Sequence, residues 1–165
     1  MDLLGPPLTD ASVPRVLAEK QATLERVCLR LEEIDAHPAL ILLKNCFAMP
    51  KLMYIMRTST AFKFTESLAA IDEVIRKSLT GITNADISDA AWQQARLPVR
   101  LGGLGVRTSE HLAASAFLAS HYTTEELVAR ILDPVNLDRR PDPEEALACW
   151  QRQVPESPPP TDRAK

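Results

Sequence analysis

Three of the chain's five glycines fall within four residues, at Gly102, Gly103 and Gly105. A chain this poor in glycine has few places to reverse sharply, so residues 97–109 (LPVRLGGLGVRTS) are where its backbone must leave a regular path. Val99 and Leu101 lie two apart, as do Leu104 and Val106, and the glycines between them suit a small hairpin or a tight double turn. Leu97-Pro98 closes the preceding element, because the residue before proline avoids the α region. Thr108 or Ser109 is then placed to cap a helix running from Glu110 to Ser120, with Ala113, Ala116, Phe117 and Ser120 on a small-residue face.

Before the glycines the chain reads as helix after helix. Ser12 can cap a first helix with Pro14 in its first turn, where a missing N–H does no harm. Val13, Leu17, Leu24, Cys28, Leu31 and Ile34 then recur at helical spacing for about six turns. Asp35-Ala36-His37-Pro38 breaks that pattern, and residues 39–47 follow as an apolar helix expected to be central. Pro50 must kink or restart this helix, which continues apolar through Met56. After the cluster Thr58-Ser59-Thr60, Phe64, Leu68, Ile71, Ile75 and Leu79 mark a third long helix, with Gly81 expected just past its end. Ser88 can cap a short helix containing Trp92 and ending near Arg96.

Beyond Tyr122, Thr124-Glu125-Glu126 can open a short helix that Asp133-Pro134 ends. Asp142-Pro143-Glu144-Glu145 has a cap, a proline at the first position and an early acid, and so predicts one more helix reaching Trp150. Seven of the thirteen prolines lie past residue 133, which places a boundary there. The expected organisation is an extended segment over 1–11, a helical domain over 12–132 and an acidic, proline-rich tail over 133–165. The fold class is all-α: a small bundle of three longer helices plus short ones, around a glycine-rich turn. With aromatics at only 5%, its core must come from Leu, Ile, Val, Ala and Met.

Catalytic signals are weak. The pairs Glu32-Glu33, Glu125-Glu126 and Glu144-Glu145 are helix neighbours that point apart, and His37, His111 and His121 fall in no metal-binding spacing. Cys28, Cys46 and Cys149 are odd in number and far apart; Cys28 and Cys46 sit on apolar faces, where packing is expected rather than chemistry. No metal or other cofactor and no small-molecule substrate is expected. No apolar run approaches the roughly 20 residues of a membrane span, and the N-terminus lacks a basic region ahead of an apolar one. An intracellular protein without a membrane role is expected.

The net charge of −3 is unevenly spread. Residues 38–108 carry nine Lys and Arg against five Asp and Glu, whereas both flanks are net acidic. A basic middle suits a polyanion-facing surface, although Lys44, Lys51, Arg57, Lys63, Arg76 and Lys77 could equally be solvated charges on helix faces. Backbone amides of the glycine turn, the helix start at Thr108 or Ser109, and Arg100 and Arg107 could together hold a phosphate. The spacing matches neither GxGxxG nor GxxxxGK[ST], and a turn that uses glycine only to dock on the helices is the simpler reading.

Several stretches taken in order resemble a known family. They are Leu3-Leu4-Gly5, residues 39–47 (ALILLKNCF) with Pro50-Lys51-Leu52-Met53-Tyr54 and Arg57-Thr58-Ser59, Leu97-Pro98 through Arg107, and Ala114 to Ser120. This set resembles the region just after the palm in reverse transcriptases of non-LTR retrotransposons, over about residues 3–121. In that family the palm holds metal-binding aspartates in an F/YxDD turn, and a helical thumb then grips template and primer. No such turn occurs here: Asp72-Glu73 falls on a helix, and Asp86 and Asp89 flank a loop and a cap. The resemblance therefore implies a thumb without its catalytic palm, inactive alone as an RNA-directed DNA polymerase. Carried over by position, it implies Lys44, Lys51, Arg57, Arg100 and Arg107 as contacts to an RNA or DNA template–primer. A missing palm domain would be the other partner, in nucleus or cytoplasm. A helical protein-interaction module using the face at Ala113–Ser120 or the apolar helices at Leu40–Met56 stays open, as does a phosphate-ligand enzyme at the glycine turn.

Overall fold

The structure, a computed structural model, describes residues 9–132 and 143–156. Among them every regular element is helical. The helices are α1 (Val13–Leu31), α2 (Ala36–Leu42), α3 (Met49–Thr58), α4 (Thr65–Thr83), α5 (Asp89–Arg96), α6 (Ser109–Leu132) and α7 (Pro143–Gln153). The chain is thus an all-α bundle, as its periodicity predicts. Leu3-Leu4-Gly5, the stop at Asp133-Pro134, the cap at Asp142 and the run Pro158-Pro159-Pro160 lie outside the described residues.

The core forms where α1, α3, α4 and α6 meet. Leu17 of α1, Leu52 and Met56 of α3, Leu68, Ile71, Ile75 and Leu79 of α4 and Leu118 of α6 are completely enclosed. The small residues Ala113, Ala114 and Ala116 are buried as well, which lets α6 approach α3 closely. Aromatic packing is confined to a few places, chiefly Phe62 against Phe117 at 5.1 Å between ring centres. Trp150 and Ala146 of α7 join the same core, so this helix shares the domain's interior rather than standing apart in a tail. Lys63 fastens it, pairing with Asp10 at 3.7 Å and with Glu145, while Gln153 donates to the Glu110 carbonyl at 3.1 Å.

Several boundaries differ from expectation for definable reasons. Ser12 precedes α1 but donates its hydroxyl to the Thr9 carbonyl at 2.7 Å, since a 3₁₀ turn at Asp10–Ser12 already serves the first helical amides. Ile34 lies beyond the end of α1 and is exposed. Ala36, His37 and Pro38 belong to the first turn of α2 rather than to a break. Only Ala39 of α2 is buried, so that helix sits at the edge instead of the centre. A π-helical turn at Leu43–Phe47 follows, and Ala48 leaves helical geometry before Pro50 restarts α3. The extra residue of the π turn rotates the face, leaving Cys46 exposed while Met49, Leu52, Ile55 and Met56 point inward.

By length and composition alone, Ala36–Thr58 would qualify as a membrane-crossing helix, although no such run was expected. It is interrupted at Ala48, and the second half turns its apolar face to the core. The hydroxyls of Thr58 and Ser59 donate back to Tyr54 and Ile55, so they close α3 and cap nothing downstream. α4 continues through Gly81 because Ile82 is still core, and Asn84 takes the left-handed position at φ 49°. A Cβ at Gly81 would stand 2.5 Å from the carboxylate of Glu32, an exposed side chain that can turn away. α6 runs unbroken past Thr124, whose hydroxyl donates to the Ser120 carbonyl at 2.8 Å instead of capping a new helix.

Candidate nucleic-acid interface

The glycine stretch begins where α5 ends. Ser88 caps α5 as its sequence predicts, accepting from the Ala91 amide at 3.2 Å. Arg76 pins this helix to α4, pairing with Asp89 at 2.9 Å and donating to the Ile87 carbonyl at 2.6 Å. It is a structural clamp and not a free surface charge.

After Pro98 the chain makes one 3₁₀ turn, Val99–Leu101, and folds back without forming strands. Gly102 and Gly105 adopt φ of 79° and 66°, in the left-handed region that glycine enters without penalty. Gly103 serves a different need, since a Cβ there would lie 2.0 Å from the Leu97 carbonyl oxygen and 2.6 Å from that of Gln94. Six successive amides, from Leu101 to Val106, donate to carbonyls of Ala95, Leu97, Pro98 and Val99 at 2.8–3.3 Å. The turn is therefore a closed plug on the end of α5. No amide of that run is left to hold a phosphate, which settles how the glycines are used: they dock the turn.

The start of α6 is occupied too. Asp72 of α4, only 8% exposed, accepts from the Ser109 amide at 2.6 Å and the Glu110 amide at 3.1 Å. A buried carboxylate thus takes the place an exogenous anion would have at this helix N-terminus. Burial raises the Asp72 pKa more than the two amide bonds lower it. Ser109 adds a bond from its hydroxyl to the Leu68 carbonyl at 2.9 Å. An anion at this end of the molecule finds the amides from Leu101 to Val106 and those of Ser109 and Glu110 already occupied, so side chains are its chief source of donors.

Those side chains converge beside the plug. Lys44, Arg96, Arg107 and His111 line a cleft of about 570 Å³ with Gln93 and Thr108, together with the apolar residues Leu97, Pro98 and Val99. None of the residues lining it is an Asp or Glu. Lys44 reaches it from the π turn and donates to the Leu104 carbonyl at 3.0 Å. Arg96, on the last turn of α5, donates to Gln93 Oε1 at 3.1 Å and to His111 Nδ1 at 2.7 Å. Partial burial of the ring, and then the Arg96 charge, hold the His111 pKa below the ordinary histidine range. Neutral His111 can therefore accept from Arg96. On its far side Arg96 borders a smaller hollow with Asp72, Glu73 and Glu110, so part of its charge is already balanced. Arg107 is exposed and makes no hydrogen bond or ion pair among the described residues.

Set against protein-family models, curated proteins and solved structures, the chain matches none.

The expected contact residues divide into separate places. Lys44 and Arg107 share the cleft, and Arg100 is exposed on the adjoining 3₁₀ turn. Lys51 instead lines a groove between α1 and α3 with Lys20 and Phe47, and Arg57 borders a hollow with Phe117, His121 and Glu125. Arg96 and His111 were not among the expected contacts. The sequence signal for them was available: Arg96 stands directly before the Leu97-Pro98 stop, and Thr108 and His111 are three apart on the first turn of α6.

Proposed function

We propose that this chain is the thumb-like, post-palm region of a non-LTR retrotransposon reverse transcriptase, contacting the template–primer backbone without catalytic competence of its own. The observation that carries this reading is the cleft beside the glycine plug, where three cations gather and no carboxylate faces them. Such a surface attracts phosphates of any sequence, because counterion release and not base readout supplies the binding energy. The residues assigned to the contact are Lys44, Arg100 and Arg107, with Arg96 behind them. Lys51 and Arg57 sit on other faces and would touch nucleic acid only if it wrapped the domain. The partners are an RNA or DNA template–primer and a palm domain, in the nucleus or cytoplasm.

Fluorescence-anisotropy titration of a labelled RNA–DNA hybrid across a salt series tests the reading. Binding should weaken steeply as salt rises, by about one logarithmic unit of affinity per logarithmic unit of salt for each phosphate neutralised. It should be lost in an Arg100→Glu/Arg107→Glu variant that keeps its helical circular dichroism. Flat anisotropy at low salt with folded protein would refute it. Extension of a primer by this chain with Mg²⁺ and nucleotides would overturn the claim of catalytic incompetence, since that chemistry needs metal-holding carboxylates.

A second reading is favoured by one observation. Val99 and Leu101 are 66% and 61% exposed at the tip of the plug. An apolar tip of that kind suits a protein partner. Of the faces at residues 113–120 and 40–56, Ala113, Ala116, Phe117, Leu52, Ile55 and Met56 are buried, while Ile41 and Tyr54 are exposed and keep part of the second face open to a partner. Salt-insensitive binding to a protein, with no binding to nucleic acid, would favour this alternative.

A further inference from the structure

The cationic cleft is lined by two unlike kinds of residue, and simple backbone binding needs only one of them. A ridge of cations is enough to track a phosphate chain. Here Leu97, Pro98 and Val99 share the lining with the cations, and the imidazole of His111 adds a flat ring to the same cleft. The volume of about 570 Å³ is in the range of small-ligand pockets and exceeds what a lone phosphate would fill. A ligand that complements both kinds of residue must join an anion to a flat, weakly polar body. Nucleotides have that composition.

We infer that the cleft receives one unpaired nucleotide of a bound strand, its phosphate at Arg107 and Lys44 and its base against Leu97, Pro98, Val99 and His111. This rests on the nucleic-acid reading above and adds which part of the strand is held. The donors are in place. Lys44 uses one N–H on the Leu104 carbonyl at 3.0 Å, and an ammonium has two more to offer. Arg107 has its whole guanidinium fork uncommitted among the described residues. Arg96 acts differently, because its bonds to Gln93, Thr108 and His111 fix the ring that the base would meet. No carboxylate is among the lining residues, and Asp72, Glu73 and Glu110 border the separate hollow beyond Arg96. The assignment also gives the exposed Val99 something to cover it, and base stacking of this kind tolerates any sequence.

The test compares two labelled RNA–DNA hybrids of equal length, one blunt and one carrying a short unpaired extension. The extended hybrid should bind about tenfold more tightly, the gain of seating roughly one base. Val99→Ser and His111→Ala should each remove most of that preference, read as the ratio of the two affinities within each variant that keeps its helical circular dichroism. Val99 is on the surface, so its replacement leaves the core intact. Equal affinity for the two hybrids would overturn the nucleotide site and leave the backbone-binding reading standing. A preference that survives both variants would place the unpaired base elsewhere and overturn the site as well. Binding to neither hybrid would remove both readings together.

Discussion

Asp72→Ala is the perturbation that tests the architecture most directly. The Asp72 carboxylate joins α4 to the first turn of α6 through amide bonds of 2.6 Å from Ser109 and 3.1 Å from Glu110. Ser109 is fully buried, so truncation leaves its N–H without a partner or water, at a cost of about 1–3 kcal/mol. Glu110 is at the surface, where water can replace the lost acceptor, and adds about 0.5–1 kcal/mol. Together these give about 1.5–4 kcal/mol, or a fall in thermal midpoint of about 3–15 °C for a domain of this size. Thermal unfolding followed by circular dichroism measures it, with exposed neighbour Glu73→Ala as the control. Asp72→Asn should fall between wild type and alanine, because one amide oxygen can still accept from Ser109. The pH dependence carries a sign. Because burial raises the Asp72 pKa in the folded state, its contribution declines as pH rises through that folded value. The wild-type margin over the alanine variant should therefore be larger in mildly acid than in neutral buffer. A midpoint shift of less than about 1 °C in Asp72→Ala would refute the lock, since an orphaned buried amide cannot be that cheap.

Other outcomes follow from the same geometry. Gly103→Ala should cost about 3 kcal/mol, because the clashing atoms are backbone carbonyls that cannot give way, whereas Gly102→Ala, with open space around it, should cost about 1–2 kcal/mol for its left-handed φ alone; chemical denaturation compares the two. Asn84→Gly should stabilise by about 0.5–1 kcal/mol, as the left-handed end of α4 suits glycine better than asparagine, and an unchanged or lowered denaturation midpoint would contradict it. His111, whose pKa is lowered by burial and then by Arg96, contributes stability that is present above the ordinary histidine range and lost as pH falls through its folded pKa. His111→Gln should flatten that part of the stability profile.

Helix content was legible wherever the apolar spacing was long and uninterrupted, as in α1 and α4, which bury most of the predicted stripe residues, although α4 also encloses Asp72, Ser78 and Ile82. Misreadings arose where a local signal had two uses. Gly81 has the composition of a helix end, yet α4 continues through it to Thr83. Thr124 has the composition of a cap but spends its hydroxyl on the preceding turn, so α6 stays whole. The periodicity of residues 39–47 gave no warning of the π turn, because one extra residue in a loop of helix leaves composition untouched. At the candidate site the cations around the glycines could be read from the chain. Their grouping could not, since Lys44 meets the plug from sixty residues away. Asp72 was missed for the same reason: a carboxylate among apolar helix positions has no local sign that it caps a distant helix.

The closed hydrogen bonding of the plug has a consequence for any ligand it meets. Its backbone is fastened from Leu101 to Val106, yet Val99, Arg100, Leu101 and Arg107 stand out into solvent. Binding need not freeze a wandering loop, so the entropy surrendered on association is limited to a few side-chain rotamers. Replacing the projecting residues should alter what is recognised while the scaffold beneath keeps its shape. A surface built in this way can change its preference by substitution at the tip alone.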